Sequence, residues 1–211
     1  MSEQDTIKKL RANYGNEIIN VSFLPRPYCP GGIENVKAIY LGCDPSNKHS
    51  NELPFVFAHE SGLTVFNRFI NAHTEQLREI GLSWHCVYTQ NLCRSYFDKE
   101  TSANRKLWKR VVNEYWIEAL KSELTIFPSS IPVFLTAQIL LEVLASNGYE
   151  TINAPDFYQC NVSIPVPAES SKLGRRLIPL YRGKSPKFEI SYHLKNKEWD
   201  QYRNSIINIL K

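Results

Sequence analysis

Apolar positions along the chain fall into two kinds of run. Short blocks stand at 36–41 (VKAIYL), 85–89 (HCVYT), 131–135 (IPVFL) and 188–192 (FEISY). The first is an unbroken cluster of strand formers, which suits a strand buried on both faces. Between the blocks the apolar period changes to that of a helix. Leu63, Phe66, Ile70, Leu77 and Ile80 predict a helix over 61–80, with Gly81 as its C-terminal cap. Leu107, Trp108, Val111, Val112, Tyr115, Trp116, Ala119 and Leu120 form a second stripe. Thr136 is placed to cap a third helix through Ile139, Leu140, Val143 and Leu144, closed by Gly148. Trp199, Tyr202, Ile206 and Leu210 mark a closing helix, and Ile7, Leu10, Tyr14 and Ile18 a short opening one over 5–20.

Strand and helix therefore alternate four times. Such alternation predicts a three-layer α/β/α fold with a central four-stranded, mostly parallel sheet, in a single domain over 1–211. The segment 149–186 shows no helical period and reads as a long loop. Part of it predicts a hairpin turning at 183–186, with Pro179 confining the first arm to an edge.

Composition changes this picture little: 43% hydrophobic and 22% charged residues exclude a disordered chain. A net charge of +4 permits nucleic-acid binding without requiring it. The N-terminus has no signal-peptide core and no run is long enough to span a bilayer, so the expectation is an intracellular, cytoplasmic protein without a membrane partner. Five cysteines, odd in number and scattered, predict reduced thiols, with neither a disulfide frame nor a metal site.

Candidate chemistry sits at strand ends. Gly42 breaks the first apolar run, and Pro45 pushes Asp44 toward an extended or turn conformation just beyond it. Asn91 follows the second strand and His193 the last. In a parallel sheet these ends share one edge, where ligands bind. Phe55 and Phe57, in the loop after Asp44, supply aromatic faces for the same crevice. Gly-rich phosphate loops and a GxSxG elbow are absent, which counts against dinucleotide, P-loop and serine-hydrolase chemistry.

These pieces resemble the uracil-DNA glycosylase superfamily. GCDPS at 42–46 is similar to that family's first motif, GQDPYH in its best-known branch; PFVFA at 54–58 lies where the family places its base-stacking phenylalanine. VYTQNLCR at 87–94 resembles the strand ending in the asparagine that reads the pyrimidine edge, and SYHLKN at 191–196 stands at the second motif, HPSPLS. The resemblance implies base flipping and cleavage of an N-glycosidic bond in DNA by a monomer without cofactor. It implies Asp44 as the group that stabilises the sugar cation and orients water, and His193 as the donor to the departing base. Asn91 would read uracil O4 and N3–H, Phe57 (or Phe55) would stack, and Gly42, Cys43 and Ser46 would line the base site. Ser46 stands where the best-known branch has a tyrosine that blocks C5 substituents. Leu194, or Lys195, would fill the vacated stack.

Lys172, Arg175, Arg176, Arg182, Lys184 and Lys187 concentrate charge before the last strand, with Arg94, Lys195 and Lys197 expected near the same edge, and phosphate contact is their functional reading. Two other functions fit the same residues: a non-catalytic nucleic-acid binder, and a small-molecule enzyme acting on a nucleoside or sugar derivative.

Overall fold

The computed structural model describes residues 3–19, 24–45, 53–99, 101, 103–181 and 197–211. Four parallel strands form one sheet: β1 Ala38–Gly42, β2 Val87–Asn91, β3 Val133–Leu135 and β4 Leu177–Pro179, in the order β2-β1-β3-β4. Every residue of these strands is buried. That explains the continuous apolar character of β1, β3 and β4, whereas β2 (VYTQN) buries Thr89, Gln90 and Asn91; helices cover both faces, giving the three-layer α/β/α architecture.

The chain opens with α1 Glu3–Tyr14 and crosses from β1 to β2 through α2 Asn67–Glu79. The return from β2 to β3 uses α3 Arg105–Val111, a π-helical turn at Val112–Trp116, and α4 Ile117–Glu123. Next come α5 Gln138–Leu144, α6 Ala154–Tyr158 and, after β4, α7 Lys197–Ile209. Crossing one way and then back over β1 places α2 on one face and α3 on the other under the right-handed rule. Arg105 and Lys109 of α3 bind Glu142 of α5, so those two helices share a face. A single contiguous core joins residues from Leu10 to Ile206. No helix among the described residues is long and apolar enough to cross a membrane.

Several expectations are corrected. The helix expected over 61–80 starts at Asn67, after a 3-10 turn at Thr64–Phe66, and Gly81 takes the left-handed conformation (φ 76°) that ends it. Its buried face runs through His73, Gln76, Leu77 and Ile80, with Phe69 half-buried; two polar residues in the stripe hid it. Thr136 does not cap α5: its hydroxyl and its N–H both donate to Leu41 O, at 2.8 and 3.1 Å, tying β3 to β1, and Ala137 takes the capping position. The segment expected as a loop from 149 onward holds α6 and β4. Among the described residues Pro179 does lie on an edge strand, but that strand is the fourth of the parallel sheet. The turn at 183–186 and the strand at 188–192 lie outside the described residues.

Arg175, expected at a phosphate, is instead 5% exposed and embedded in the fold. Its guanidinium donates to the carbonyls of Leu124 (2.6 Å), Phe127 (2.7 Å) and Pro128 (2.5 Å), capping the chain where the α4 segment ends. Leu124 O and Pro128 O also accept the N–H groups of Phe127 (3.1 Å) and Ile131 (3.2 Å), and the planar fork of donors serves the remaining lone pairs of this turn together. Arg175→Ala is expected to cost about 3 kcal/mol of stability, and Arg175→Lys to recover little of it, as read by denaturant unfolding. A wild-type midpoint for either variant would show that the fork is not structural.

Candidate functional site

Gly42 and Asn91 are register partners at the carboxyl ends of β1 and β2. The two chains stay together past the ladder, with Leu92 N–H donating to Gly42 O and Cys93 N–H to Cys43 O, both at 2.8 Å. Strand alternation turns Tyr40, Gly42, Thr89 and Asn91 toward the α2 face. A Cβ built on Gly42 would lie 2.4 Å from Asn91 Oδ1 and 2.6 Å from Phe57 Cε2. Phe57, Gly42 and Asn91, far apart in sequence, thus meet at one point.

The loop that delivers Phe57 is strained. Phe57 (φ 58°), Ala58 (φ 59°) and Glu60 (φ 54°) all occupy the left-handed region, each costing about 1 kcal/mol or more. What offsets this is packing. The Phe57 ring contacts Tyr40, Phe69, His73 and Trp84, with centroids 5.2–6.4 Å away. The neighbouring His59 ring stacks on Tyr28 at 3.9 Å and meets Trp84 edge-on at 4.4 Å. Phe55 turns elsewhere, under the Arg26 guanidinium (4.6 Å) and beside Tyr28 (5.5 Å). Of the two candidate phenylalanines, Phe57 is the one at Gly42.

Polar residues missed by sequence reading hold the site from both faces. Behind Phe57, Gln76 donates to the carbonyls of Leu180 (3.1 Å) and Tyr181 (2.9 Å), so its Oε1 accepts the Tyr40 hydroxyl proton at 2.8 Å. Tyr40 oxygen then accepts from His73 Nδ1 at 2.5 Å, which assigns the proton to that nitrogen. On the opposite face Glu123 accepts from Tyr88, Gln90 and Arg94. Gln90 Oε1 in turn accepts the Asn91 N–H at 2.9 Å, on the outer side of β2, two residues past the bridge between Thr89 and Tyr28. Asn91 is thereby fixed through its backbone. Among the described residues its carboxamide has no hydrogen-bond partner. The signal for these networks was present only as polar residues at core positions: His73 and Gln76 in an apolar stripe, and Glu123 three residues after Leu120.

Asp44 follows β1, half-buried, and Thr101 donates a short hydrogen bond to its Oδ1. Nothing in the sequence marked Thr101. Cys93 lies nearby and fully buried; burial, with the Asp44 charge adding, pushes its thiol well above the ordinary value, so it stays protonated and is no nucleophile. Cys43 is half-buried beside it.

Of the basic residues expected at phosphates, Arg94, Arg175 and Arg176 are engaged elsewhere. Arg94 is 7% exposed, paired with Glu123 and lying over Trp116 at 5.6 Å. Arg175 is internal, and Arg176 donates to Ser130 O at 2.7 Å. Both precede β4, so they stand at the amino edge of the sheet, opposite Asp44 and Asn91. Lys172 reaches Asn113 Oδ1 on the π turn. Ser46, Arg182, Lys184, Lys187, His193, Leu194 and Lys195 lie outside the described residues. No group of acidic, histidine or cysteine side chains among the described residues could hold a metal ion. No protein-family model matches the chain, and no characterised protein matches its sequence.

Two outcomes follow from this packing. Gly42→Ala drives a methyl into the Phe57 ring edge and the Asn91 oxygen, and is expected to cost about 1–3 kcal/mol; unchanged unfolding would mean the two groups do not meet there. Burial holds His59 down at about 4, against about 6.5 in the unfolded chain. The unfolded state therefore binds the extra proton between these values. Stability contributed by neutral His59 is complete above about pH 6.5 and lost as pH falls toward about 4, by about 2–3 kcal/mol. His59→Phe should flatten that part of the acid limb, and an identical limb in the variant would refute the assignment.

Proposed function

We propose that this protein is a base-excising enzyme of the uracil-DNA glycosylase type, acting on uracil or a related deaminated base in the reducing cytoplasm. The observation that carries the reading is the convergence of Phe57 and Asn91 on Gly42, with Asp44 two residues beyond at the same strand end. A flipped pyrimidine needs an apolar ring and a donor–acceptor edge fixed relative to each other. The phenyl ring supplies the first and the Asn91 carboxamide, carried on a backbone held through Gln90 and Glu123, the second.

In this reading the base binds with its O4 and N3–H on Asn91. As the glycosidic bond breaks, negative charge gathers on the base and positive charge on the sugar. Asp44, its rotamer set by Thr101, stabilises the sugar cation and orients the water that attacks it. His193 is the donor to the departing O2 in this scheme, a role taken from the motif at 191–196. Five free cysteines, of which Cys93 is buried, accord with a reducing compartment.

One finding favours a second reading. Arg94 and Arg175 are spent on internal contacts and Arg176 stands at the far edge, which weakens the case for a long phosphate track from these residues. An enzyme for a free nucleoside or sugar derivative needs none. Incubation with a single-uracil oligonucleotide and, separately, with free deoxyuridine separates the two. The glycosylase predicts alkali-labile sites in the oligonucleotide, reduced at least about 100-fold by Asp44→Asn and by Asn91→Ala. Cleavage of the nucleoside alone would select the second reading, and turnover of neither would remove both.

A further inference from the structure

Arg94, Arg175 and Arg176 are engaged within the fold, yet another basic surface begins at the site itself. Thr101, bonded to Asp44, starts a turn (Asn104 N–H to Thr101 O, 3.2 Å) that leads directly into α3. Two residues before it stands Lys99, and five and nine after it Lys106 and Arg110, all exposed. Leu107, Trp108 and Val111 bury the inner face of α3, so Lys106 and Arg110, one turn apart, share its outer face. Lys109 lies between them, bound with Arg105 to Glu142. Lys172, anchored on Asn113 at 2.9 Å, extends the same stripe one turn further. Lys99, Lys106 and Arg110 form no ion pair among the described residues. The nearby opposite charges are Asp98, the shared Glu142 and Glu114, one turn beyond Arg110 and bonded to the Tyr14 hydroxyl.

We infer that Lys99, Lys106 and Arg110, continued by Lys172, form the phosphate-binding surface that carries a nucleic-acid strand into the site. This rests on the base-excision reading above. The occupant is chosen by charge and by reach. Thr101 to Lys99 spans at most about 7 Å of chain and Thr101 to Lys106 at most about 18 Å, so phosphates flanking a nucleotide whose sugar lies at Asp44 fall within reach of these long side chains. Charges at such spacing suit a polyanion tracked along its backbone. The amino-edge cations Lys121 and Arg176 belong to the opposite end of the molecule and take no part.

The test uses the full chain and a fluorescein-labelled oligonucleotide carrying one deoxyuridine, single-stranded and duplex, with anisotropy followed against salt. Lys99→Glu/Lys106→Glu/Arg110→Glu is expected to weaken binding about 10-fold or more at low salt and to flatten the log–log salt slope by about 2–3. Lys121→Glu/Arg176→Glu should leave both within about twofold. Equal weakening by the two variants, or none by the first, overturns the surface. Uracil release by wild type assayed in parallel separates the failures. Release with an unaffected triple variant removes only this surface, whereas no binding and no release remove the base-excision reading together with it.

Discussion

Everything at the candidate site depends on one missing side chain. Gly42 ends the central strand β1, and the space a Cβ would need is taken by the Asn91 oxygen and the edge of the Phe57 ring. Parallel pairing brings Asn91 there, since Gly42 and Asn91 are partners in the β1–β2 ladder. The loop with three left-handed, non-glycine residues brings Phe57. Its strain is sustained because the ring and its neighbour His59 are locked into an aromatic cluster built on Tyr28, Tyr40, Phe69 and Trp84.

Buried polar groups complete the fixation, and their arrangement gives the sheet a division of labour. On the α2 face, His73, Tyr40 and Gln76 form a directed chain of hydrogen bonds ending on the carbonyls that follow β4. The other face carries Glu123, which collects three donors and, through Gln90, holds the Asn91 backbone. Such networks are costly when incomplete, so they impose a definite geometry on the residues they touch. The carboxamide of Asn91 and the carboxylate of Asp44 are positioned at the carboxyl edge, where parallel sheets bind ligands.

Much of this was legible in the sequence, and the failures have physical causes. The strands β1 to β3 declared themselves because residues such as Ile39, Leu41, Val133 and Phe134 are buried on both faces and need no alternation, whereas β4, at Leu177–Pro179, lay in a segment read as loop and hairpin. Asp44, Asn91 and Phe57 were legible as strand-end and loop residues. The stripe of α2 was misplaced because His73 and Gln76 are polar yet buried, paired with partners distant in sequence. Arg94 and Arg175 were misread for the same reason. A cation is indistinguishable in sequence from a surface charge until its partners, here Glu123 and the carbonyls after α4, are brought to it. Thr101 touches Asp44 across 57 positions, beyond any local pattern.

The most direct measurement follows the Asn91 side-chain amide by ¹H–¹⁵N spectroscopy, its cross-peaks assigned by their loss in Asn91→Asp, while free uracil is titrated into the labelled full chain. A site in which Phe57 and Asn91 together receive a pyrimidine predicts a saturable shift of this amide pair, accompanied by ring-current shifts at Gly42. Spectra that stay unchanged to the solubility limit of uracil, or that move only at residues away from Gly42, would contradict it.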